Sequence, residues 1–215
     1  MKNNAPFLAR LFLTAFWLPA IVLFAAESPD ALLQSQTRLV LAELQRDNGA
    51  ITHDIHQLND MVDRLIVPLI DFEAMSKLVL GKYWKRANAH QRATFVNAFR
   101  NKLKYSYTRF LKEYANQRVE YFPGCTRIKG KYATVYSEFI RGNGQKNVPV
   151  IYKLRKKDGQ WRAYNLVVDG LSFIASYRND FRREIEAEGL ETFLARLQRE
   201  NGADRYASCP RTLAC

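Results

Sequence analysis

Few residues of this 215-residue chain have the types and spacings that catalysis requires. Asp71 and Glu73 are paired carboxylates, and Asp169 stands beside Gly170 after an apolar segment. Either position suits general acid or base chemistry, which makes an exported, lipid-modifying hydrolase one hypothesis. The simpler interpretation is structural, because Asp71 and Glu73 suit a helix cap and first turn, and Asp-Gly is a common turn pair. The sequence has no G-x-S-x-G, P-loop, H-E-x-x-H or C-x-x-C motif, so we predict that it is not an enzyme.

Imidazole and thiol groups are too sparse to predict a metal site. The histidines are His53, His56 and His90, and the cysteines are Cys125, Cys209 and Cys215. His53 and His56 share a helix face at i, i+3 but lack a third ligand nearby, so we predict neither metal nor other cofactor. Cys209 and Cys215 can pair in an oxidising compartment and leave Cys125 free, but the sequence leaves the pairing open.

The first 26 residues have the pattern of a secretory signal peptide. Lys2 and Arg10 precede an uncharged run over residues 11–26, which is shorter than the roughly 20 residues of a spanning helix and contains Pro19. A retained anchor is the alternative, because Leu23 or Phe24 stands where the cleavage site prefers a small residue. We therefore predict an exported protein with a cleavable signal peptide at 1–26, one domain at 27–201 and a flexible tail at 202–215.

The positive charge belongs to the mature chain. Cleavage after residue 26 removes Lys2 and Arg10 and no acid, which lowers the formal net charge from +12 to +10. Nucleic acid, anionic lipid and an acidic protein are the partners that such a charge favours. Residues 101–112, NKLKYSYTRFLK, mix basic and aromatic side chains, but on one helix the aromatics face inward and cannot stack on bases. We therefore predict no nucleic-acid binding.

Helical periodicity fills the first half of the mature chain. Ser28 and Pro29 begin a first helix, a second runs from about 52 to Pro68, and Asp71 caps a third that Gly81 ends. Asn88 and Gln91 form a capping box that opens the longest helix, at about 89–114.

Period-two alternation follows, with a hairpin turn at Asp158 and Gly159, and it predicts about four antiparallel strands. Two helices, at 172–188 and 190–200, complete the chain. Helices gathered on one antiparallel sheet define an α+β fold with about six or seven helices.

Three motifs carry a resemblance to a known family. They are D-F-x-x-M-x-x-L-V-L-G at 71–81, D-G-x-W-x-A-Y at 158–164 and G-L-S-F-x-x-x-Y-R-x-x-F at 170–181. Together with the segments around them, from Val67 to Asn201, they resemble MlaC, also called the toluene-tolerance family. This is the periplasmic phospholipid-binding component of the Mla ABC transport system of Gram-negative bacteria. The tail after Asn201 is not part of the resemblance.

The resemblance implies a carrier that shuttles glycerophospholipid between the outer and inner membranes. The implied partners are the phospholipid cargo, the inner-membrane MlaFEDB transporter, the outer-membrane MlaA-porin complex and, transiently, the membrane surface. A protein-only adaptor of an envelope complex is a further alternative. In this family the acyl chains lie in an apolar pocket between a curved sheet and helices.

The same resemblance implies the residues of the pocket. The predicted lipid-binding residues are Phe99, Leu103, Tyr107, Val148, Val150, Tyr152, Leu154, Tyr164, Leu166, Val168, Leu171, Phe173 and Ile174. The predicted cations for head-group or partner docking are Arg100, Lys102, Lys104 and Arg178. The sequence does not decide which face of the alternating strands points into the pocket.

Overall fold

The computed structural model describes residues 27–108, 111, 117–142 and 144–206, and the fold is α+β as predicted. The predicted signal peptide at 1–26, the Cys209–Cys215 pair and most of the continuation of the longest helix beyond Thr108 lie outside these residues. The seven α-helices of the described part are α1 (Pro29–Gln45), α2 (Ile55–Leu65), α3 (Phe72–Leu80), α4 (Lys82–Arg86), α5 (Ala89–Thr108), α6 (Phe173–Glu188) and α7 (Leu190–Tyr206). None of them is both long and apolar enough to cross a membrane.

Helices α1, α5 and α6 begin close to the residues where the sequence predicts them. The Ser28 hydroxyl accepts from the amide of Ala31, and the Ser172 hydroxyl accepts from the amide of Ala175, each at 3.3 Å. At the start of α5, the Asn88 amide donates to the Gln91 side chain at 3.0 Å and the Gln91 amide donates back at 2.8 Å, which confirms the capping box. The bounds in the structure differ from the sequence-based ones mainly at helix ends. Helix α1 ends at Gln45 and a 3-10 segment follows it, α2 begins at Ile55, and α7 continues to Tyr206.

The sheet is larger than the predicted set of about four strands. Six antiparallel strands form it, namely β1 (Arg118–Tyr121), β2 (Arg127–Lys129), β3 (Tyr132–Ile140), β4 (Val148–Lys157), β5 (Gln160–Val168) and β6 (Leu171–Ser172). Their order is β1-β3-β4-β5-β6, and β2 also pairs with β3. The additional strands are short ones that periodicity detects poorly.

The register decides which side chains share the inner face of the sheet, the face toward α1. Val135, Tyr152 and Leu166 lie opposite one another, and Phe139 pairs with Val148. Residues directly opposite in an antiparallel pair point to the same side, so these five side chains belong to one face.

A β-bulge changes the alternation within β5. Lys153 pairs with Asn165 and Leu154 with Ala163, which leaves Tyr164 as the extra residue. Ala163 therefore keeps the inner side on which Leu166 lies, although the two are three residues apart. Tyr164 instead packs against the helical core, with its ring 6.1 Å from that of Tyr132.

The largest part of the core lies among α3, α5, α6 and α7. Phe95, Phe99 and Phe193 are fully buried, and Phe181 meets Phe95 edge-on at a centroid distance of 5.9 Å. Aromatic contacts of this kind add to area burial, so this cluster makes a rigid frame beside the sheet.

Asp71 ties this frame to the sheet. Its carboxylate, 3% exposed, accepts from the amide of Ala74 at 3.0 Å as the predicted cap of α3, and it accepts from Arg155 Nε of β4 at 2.5 Å. Burial opposes ionisation, but the hydrogen bonds from Arg155 and Ala74 outweigh it and hold the pKa of Asp71 below its ordinary value. A group with a lowered pKa in the folded state stabilises the fold above the pKa of the unfolded chain, and this contribution is lost as the pH falls through the folded-state pKa.

We expect Asp71→Asn, which keeps a cap but removes the charge, to lower the free energy of unfolding by about 2 kcal/mol at pH 7. Measured from pH 7 to about pH 2, the difference from the unsubstituted protein should stay constant down to about pH 4, the ordinary pKa of an unfolded Asp, and shrink below it, because the carboxyl is protonated first in the unfolded chain and then in the folded one. Urea denaturation across this range measures it. Glu73→Gln is the control, since its ion pair with Lys157 is exposed and worth less than about 1 kcal/mol. If the difference in the free energy of unfolding between Asp71→Asn and the unsubstituted protein stays the same at every pH, Asp71 does not stabilise the fold through its ionised carboxylate.

Candidate functional site

A cavity of about 930 Å³ lies between the inner face of the sheet and the helices that cross it. This volume is at the upper end of the range for small-molecule pockets, about 300–1,000 Å³. Its walls come from α1, from the end of α2 and the turn after it, from the C-terminal half of α5, and from the strands. The site is therefore built by nearly every element outside the aromatic core.

One stripe of α1 forms a long side of the cavity. The residues recur at helical spacing, and they are Leu33, Gln36, Thr37, Val40, Leu41 and Leu44. Leu39 lies off this stripe and is 52% exposed. The stripe faces the sheet and leaves a gap that side chains do not fill.

The opposite walls are also mainly apolar. The sheet contributes Val119, Tyr121, Phe139, Val148, Tyr152, Ala163, Asn165, Leu166 and Val168. The helical side contributes Val62, Ile66, Val67, Leu69, Ile70, Phe72, Met75, Leu103, Lys104, Tyr107, Thr108 and Leu111. Such a surface binds hydrocarbon through burial and offers few directional contacts.

Several polar groups in the wall hydrogen-bond to the protein itself. Thr37 Oγ1 and the Tyr121 hydroxyl are 2.7 Å apart, and this hydroxyl also donates to the carbonyl of Leu33 at 3.3 Å, so it fastens α1 to β1. Asn165 Nδ2 donates to Ser172 Oγ at 3.1 Å, which joins β5 to the start of α6. These groups have structural partners and do not form a reactive set.

The tyrosine hydroxyls do not suit proton transfer. Burial raises the pKa of Tyr121 well above its ordinary value, and neighbouring Tyr152 acts in the same direction. Burial also raises the pKa of Tyr152. A general acid or base works best with a pKa near the operating pH. Both phenols stay protonated at neutral pH, so they are poorly suited to that role.

The carboxylates that suggested an enzyme do not converge on the cavity. Asp71 caps α3 and binds Arg155, and Glu73 Oε2 accepts from Lys157 at 3.0 Å. Asp169 lies at the rim, in the left-handed backbone conformation (φ 49°) that the two-residue turn between β5 and β6 requires. No group of three or more potential metal ligands occurs in the described part of the chain.

Comparison with known proteins agrees with this architecture. The family model for the MlaC protein matches residues 34–199. The chain belongs to the MlaC family. It is 25% identical over 188 residues to the intermembrane phospholipid transport system binding protein MlaC of Haemophilus influenzae, covering 86% of this chain and 87% of the relative. It is 27% identical over 166 residues to the toluene tolerance protein ttg2D of Pseudomonas putida, covering 77% and 76% respectively.

A solved structure shows the same fold. A phospholipid-binding protein from Ralstonia solanacearum, determined in complex with a phospholipid, superposes with a TM-score of 0.73 at 24% identity. The match covers 83% of this chain and 99% of the other. The two chains thus share the α+β fold over most of the described domain.

The structure brings eight of the thirteen predicted lipid-binding residues to the cavity wall. They are Leu103, Tyr107, Val148, Tyr152, Leu166, Val168, Leu171 and Phe173. Tyr107 and Phe173 stack at a centroid distance of 5.0 Å, and Leu171, at the tip of the β5–β6 turn, is 71% exposed. Leu171 and Tyr107 thus lie at a mouth that opens to solvent.

The other five lie outside the wall for identifiable reasons. Phe99 and Ile174 belong to the aromatic helical core, and the bulge turns Tyr164 toward that core. Leu154 shares the inner face but is buried against Leu33 at the closed end of the sheet. Val150 shares the inner face with Val148 and Tyr152, but it is 1% exposed and lines a separate surface pocket of about 520 Å³ instead of the cavity.

The predicted docking cations all have partners within the protein. Lys104 Nζ lies 2.5 Å from Asp63, Arg100 lies 3.8 Å from the same carboxylate, and Lys102 lies 3.6 Å from Glu200. Arg178 Nε donates to the carbonyl of Leu78 at 2.7 Å. Their docking role stays a prediction, but these contacts hold α5 and α6 in place.

Sequence reasoning missed the α1 wall. The sequence patterns predict α1 as a helix but give it no part in the pocket, although Leu33, Val40 and Leu44 form a stripe with Thr37 between them. A polar residue in the middle of such a stripe is the signal that was available, since closed cores rarely accept one unpaired.

We expect Tyr121→Phe to lower the free energy of unfolding by about 1 kcal/mol, because it removes the hydroxyl that joins α1 to β1. Urea denaturation measures the change. Tyr132→Phe is the matched control, since Tyr132 is 46% exposed and its hydroxyl has no partner among the described residues. Equal stability of the two variants would show that the hydroxyl does not anchor α1.

Proposed function

We propose that this protein is a carrier that binds glycerophospholipid with its acyl chains in the 930 Å³ cavity. The observation that carries the proposal is the size and apolar character of that cavity in a chain of the MlaC family. The names of its relatives point the same way, because one is a phospholipid transport binding protein and another was solved with a phospholipid.

The physical chemistry of the cavity supports hydrocarbon as the cargo. Each buried methylene contributes about 0.8 kcal/mol, so about fourteen of them contribute roughly 11 kcal/mol. That gain needs no polar contact, which fits a wall whose polar groups mostly serve the protein itself. Transfer from one membrane to another requires the complex to be reversible, and a partner that opens the cavity would supply this.

The proposed lipid contacts are the eight sequence-predicted residues of the wall together with the α1 stripe. Val148, Tyr152, Leu166 and Val168 form the sheet side, and Leu103 and Tyr107 form the helical side. Leu171 and Phe173 lie where the chains would enter. We assign no contact to the five residues that lie outside the wall.

The cellular setting is part of the same proposal. The segment 1–26 has the pattern of an export signal, and the family resemblance implies a periplasmic shuttle between an outer-membrane MlaA-porin complex and an inner-membrane MlaFEDB transporter. The basic surface favours transient contact with anionic membranes. The cargo is a ligand in transit, so no cofactor and no catalytic step enter the proposal.

Mass spectrometry of the mature protein, purified from a Gram-negative host without detergent, tests the proposal directly. We expect a native mass excess that denaturation resolves into intact phospholipid. A protein that carries no lipid, and takes up none from liposomes, would favour an adaptor that binds only protein. Release of lysophospholipid or free fatty acid from those liposomes would favour a hydrolase.

A cavity-filling variant tests the site itself. We expect Val168→Trp to lower the lipid retained per protein at least about fivefold, because the indole occupies space that the acyl chains need. Val167→Trp is the matched control, since Val167 is the neighbouring residue on the other side of β5 and does not line the cavity. Equal retention in both folded variants, verified by their melting temperatures, would place the lipid elsewhere.

A further inference from the structure

The rim of the cavity carries two cations that, unlike the predicted docking cations on α5, have no ion pair within the described part of the chain. Arg141 and Lys146 line the cavity and are exposed, and neither has an ion pair or hydrogen bond within the described chain. Lys104, the other cation of the wall, is held by Asp63 at 2.5 Å. Arg141 and Lys146 are therefore the positive groups of the wall that remain available to a ligand.

Their position follows from the register of the sheet. Phe139 and Val148 are the last pair between β3 and β4, and both line the cavity. Arg141 and Lys146 each stand two residues beyond that pair, on the segment that connects the strands. The wall thus changes from hydrocarbon to cation over two residues, roughly 7 Å.

Asp169 is the one acid among the described residues that line the cavity, whereas Glu138, whose Oε2 accepts from Asn147 Nδ2 at 3.2 Å, lies at the same end but on the other face of β3. The amide of Asp169 donates to the carbonyl of Pro149 at 2.9 Å, which places the β5–β6 turn beside the start of β4. Arg141, Lys146 and Asp169 together carry one net positive charge. This matches the single negative charge of a phosphodiester.

We propose that Arg141 and Lys146 bind the phosphate of a glycerophospholipid head group at the mouth of the cavity. The inference rests on the proposed carrier function and adds the site that binds the polar head group of the lipid. A guanidinium presents a planar fork of donors that fits phosphate oxygens, and an ammonium adds a point charge. A glycerophospholipid has the same succession, since its phosphate follows directly on the glycerol that bears its acyl chains.

The inference predicts discrimination between a phospholipid and a diacylglycerol that has the same acyl chains but lacks the phosphate-bearing head group. Vesicles containing dioleoyl phosphatidylglycerol or dioleoylglycerol are incubated with the delipidated mature protein, and the lipid retained is counted by mass spectrometry. We expect the unsubstituted protein to prefer the phospholipid. Arg141→Gln with Lys146→Gln should lower that preference at least about fivefold and leave dioleoylglycerol uptake unchanged, because the apolar wall is intact.

The control removes the same charge from another place. Arg127→Gln with Lys129→Gln alters two exposed cations of β2, which pairs with the opposite end of β3, roughly 25 Å from Arg141 along the strand. We expect this variant to keep the preference, whereas a general effect of net charge would lower it equally. Melting temperatures confirm that both double variants fold.

The outcomes separate this inference from the carrier proposal. A rim variant that keeps the preference, or an unsubstituted protein that takes up both lipids equally, would overturn the phosphate site and leave the carrier intact. An unsubstituted protein that takes up neither lipid would overturn the carrier proposal and the phosphate site with it.

Discussion

One face of the sheet serves two opposite purposes along its length, and the rest of the structure depends on how these are kept apart. At one end, Val135 and Leu154 pack against Leu33 of α1 and are excluded from solvent. At the other end, Val148 and Val168 face a cavity. Protein interiors normally pack to the density of organic crystals, so an apolar gap of this size needs walls that do not collapse into it.

The stiffness comes from contacts that lie outside the cavity, although the elements that make them also contribute to its wall. The aromatic core around Phe95 and Phe181 holds α5, α6 and α7 together, and the Asp71–Arg155 pair fixes α3 to β4. The Asp71 carboxylate can be buried because the Ala74 amide and the Arg155 guanidinium both donate hydrogen bonds to it. The α1 wall is fastened more lightly, by its end contacts and by the Thr37–Tyr121 hydrogen bond. No residue of α1 belongs to the aromatic core that holds the other helices together.

The sequence was most informative where local chemistry decides the structure. Caps at Ser28, Asp71 and Asn88 mark helix starts because a side chain and an amide three residues away satisfy each other without tertiary help. The inner face of the sheet was not predictable in the same way. Alternation divides the residues of a strand between two faces but does not say which face points to the helices. In addition, the bulge at Tyr164 shifts the alternation by one residue within β5. Phe99 and Leu103 show the corresponding limit for helices, because both lie on the buried side of α5 but only Leu103 reaches the cavity.

Charge was the sequence feature that predicted the candidate site least well. The net charge of +12 and the basic run in α5 suggested docking residues there, yet a side chain's charge says nothing about whether a carboxylate already neutralises it. Lys104 and Arg100 share Asp63, so one of their two positive charges is neutralised by a carboxylate of α2. Among the described residues of the cavity wall, the cations without an ion pair, Arg141 and Lys146, stand instead in a connection between strands that has no periodicity to mark it. Loops carry such groups readily, because a residue there need not satisfy the packing of a core, and a rigid frame still determines where the loop lies.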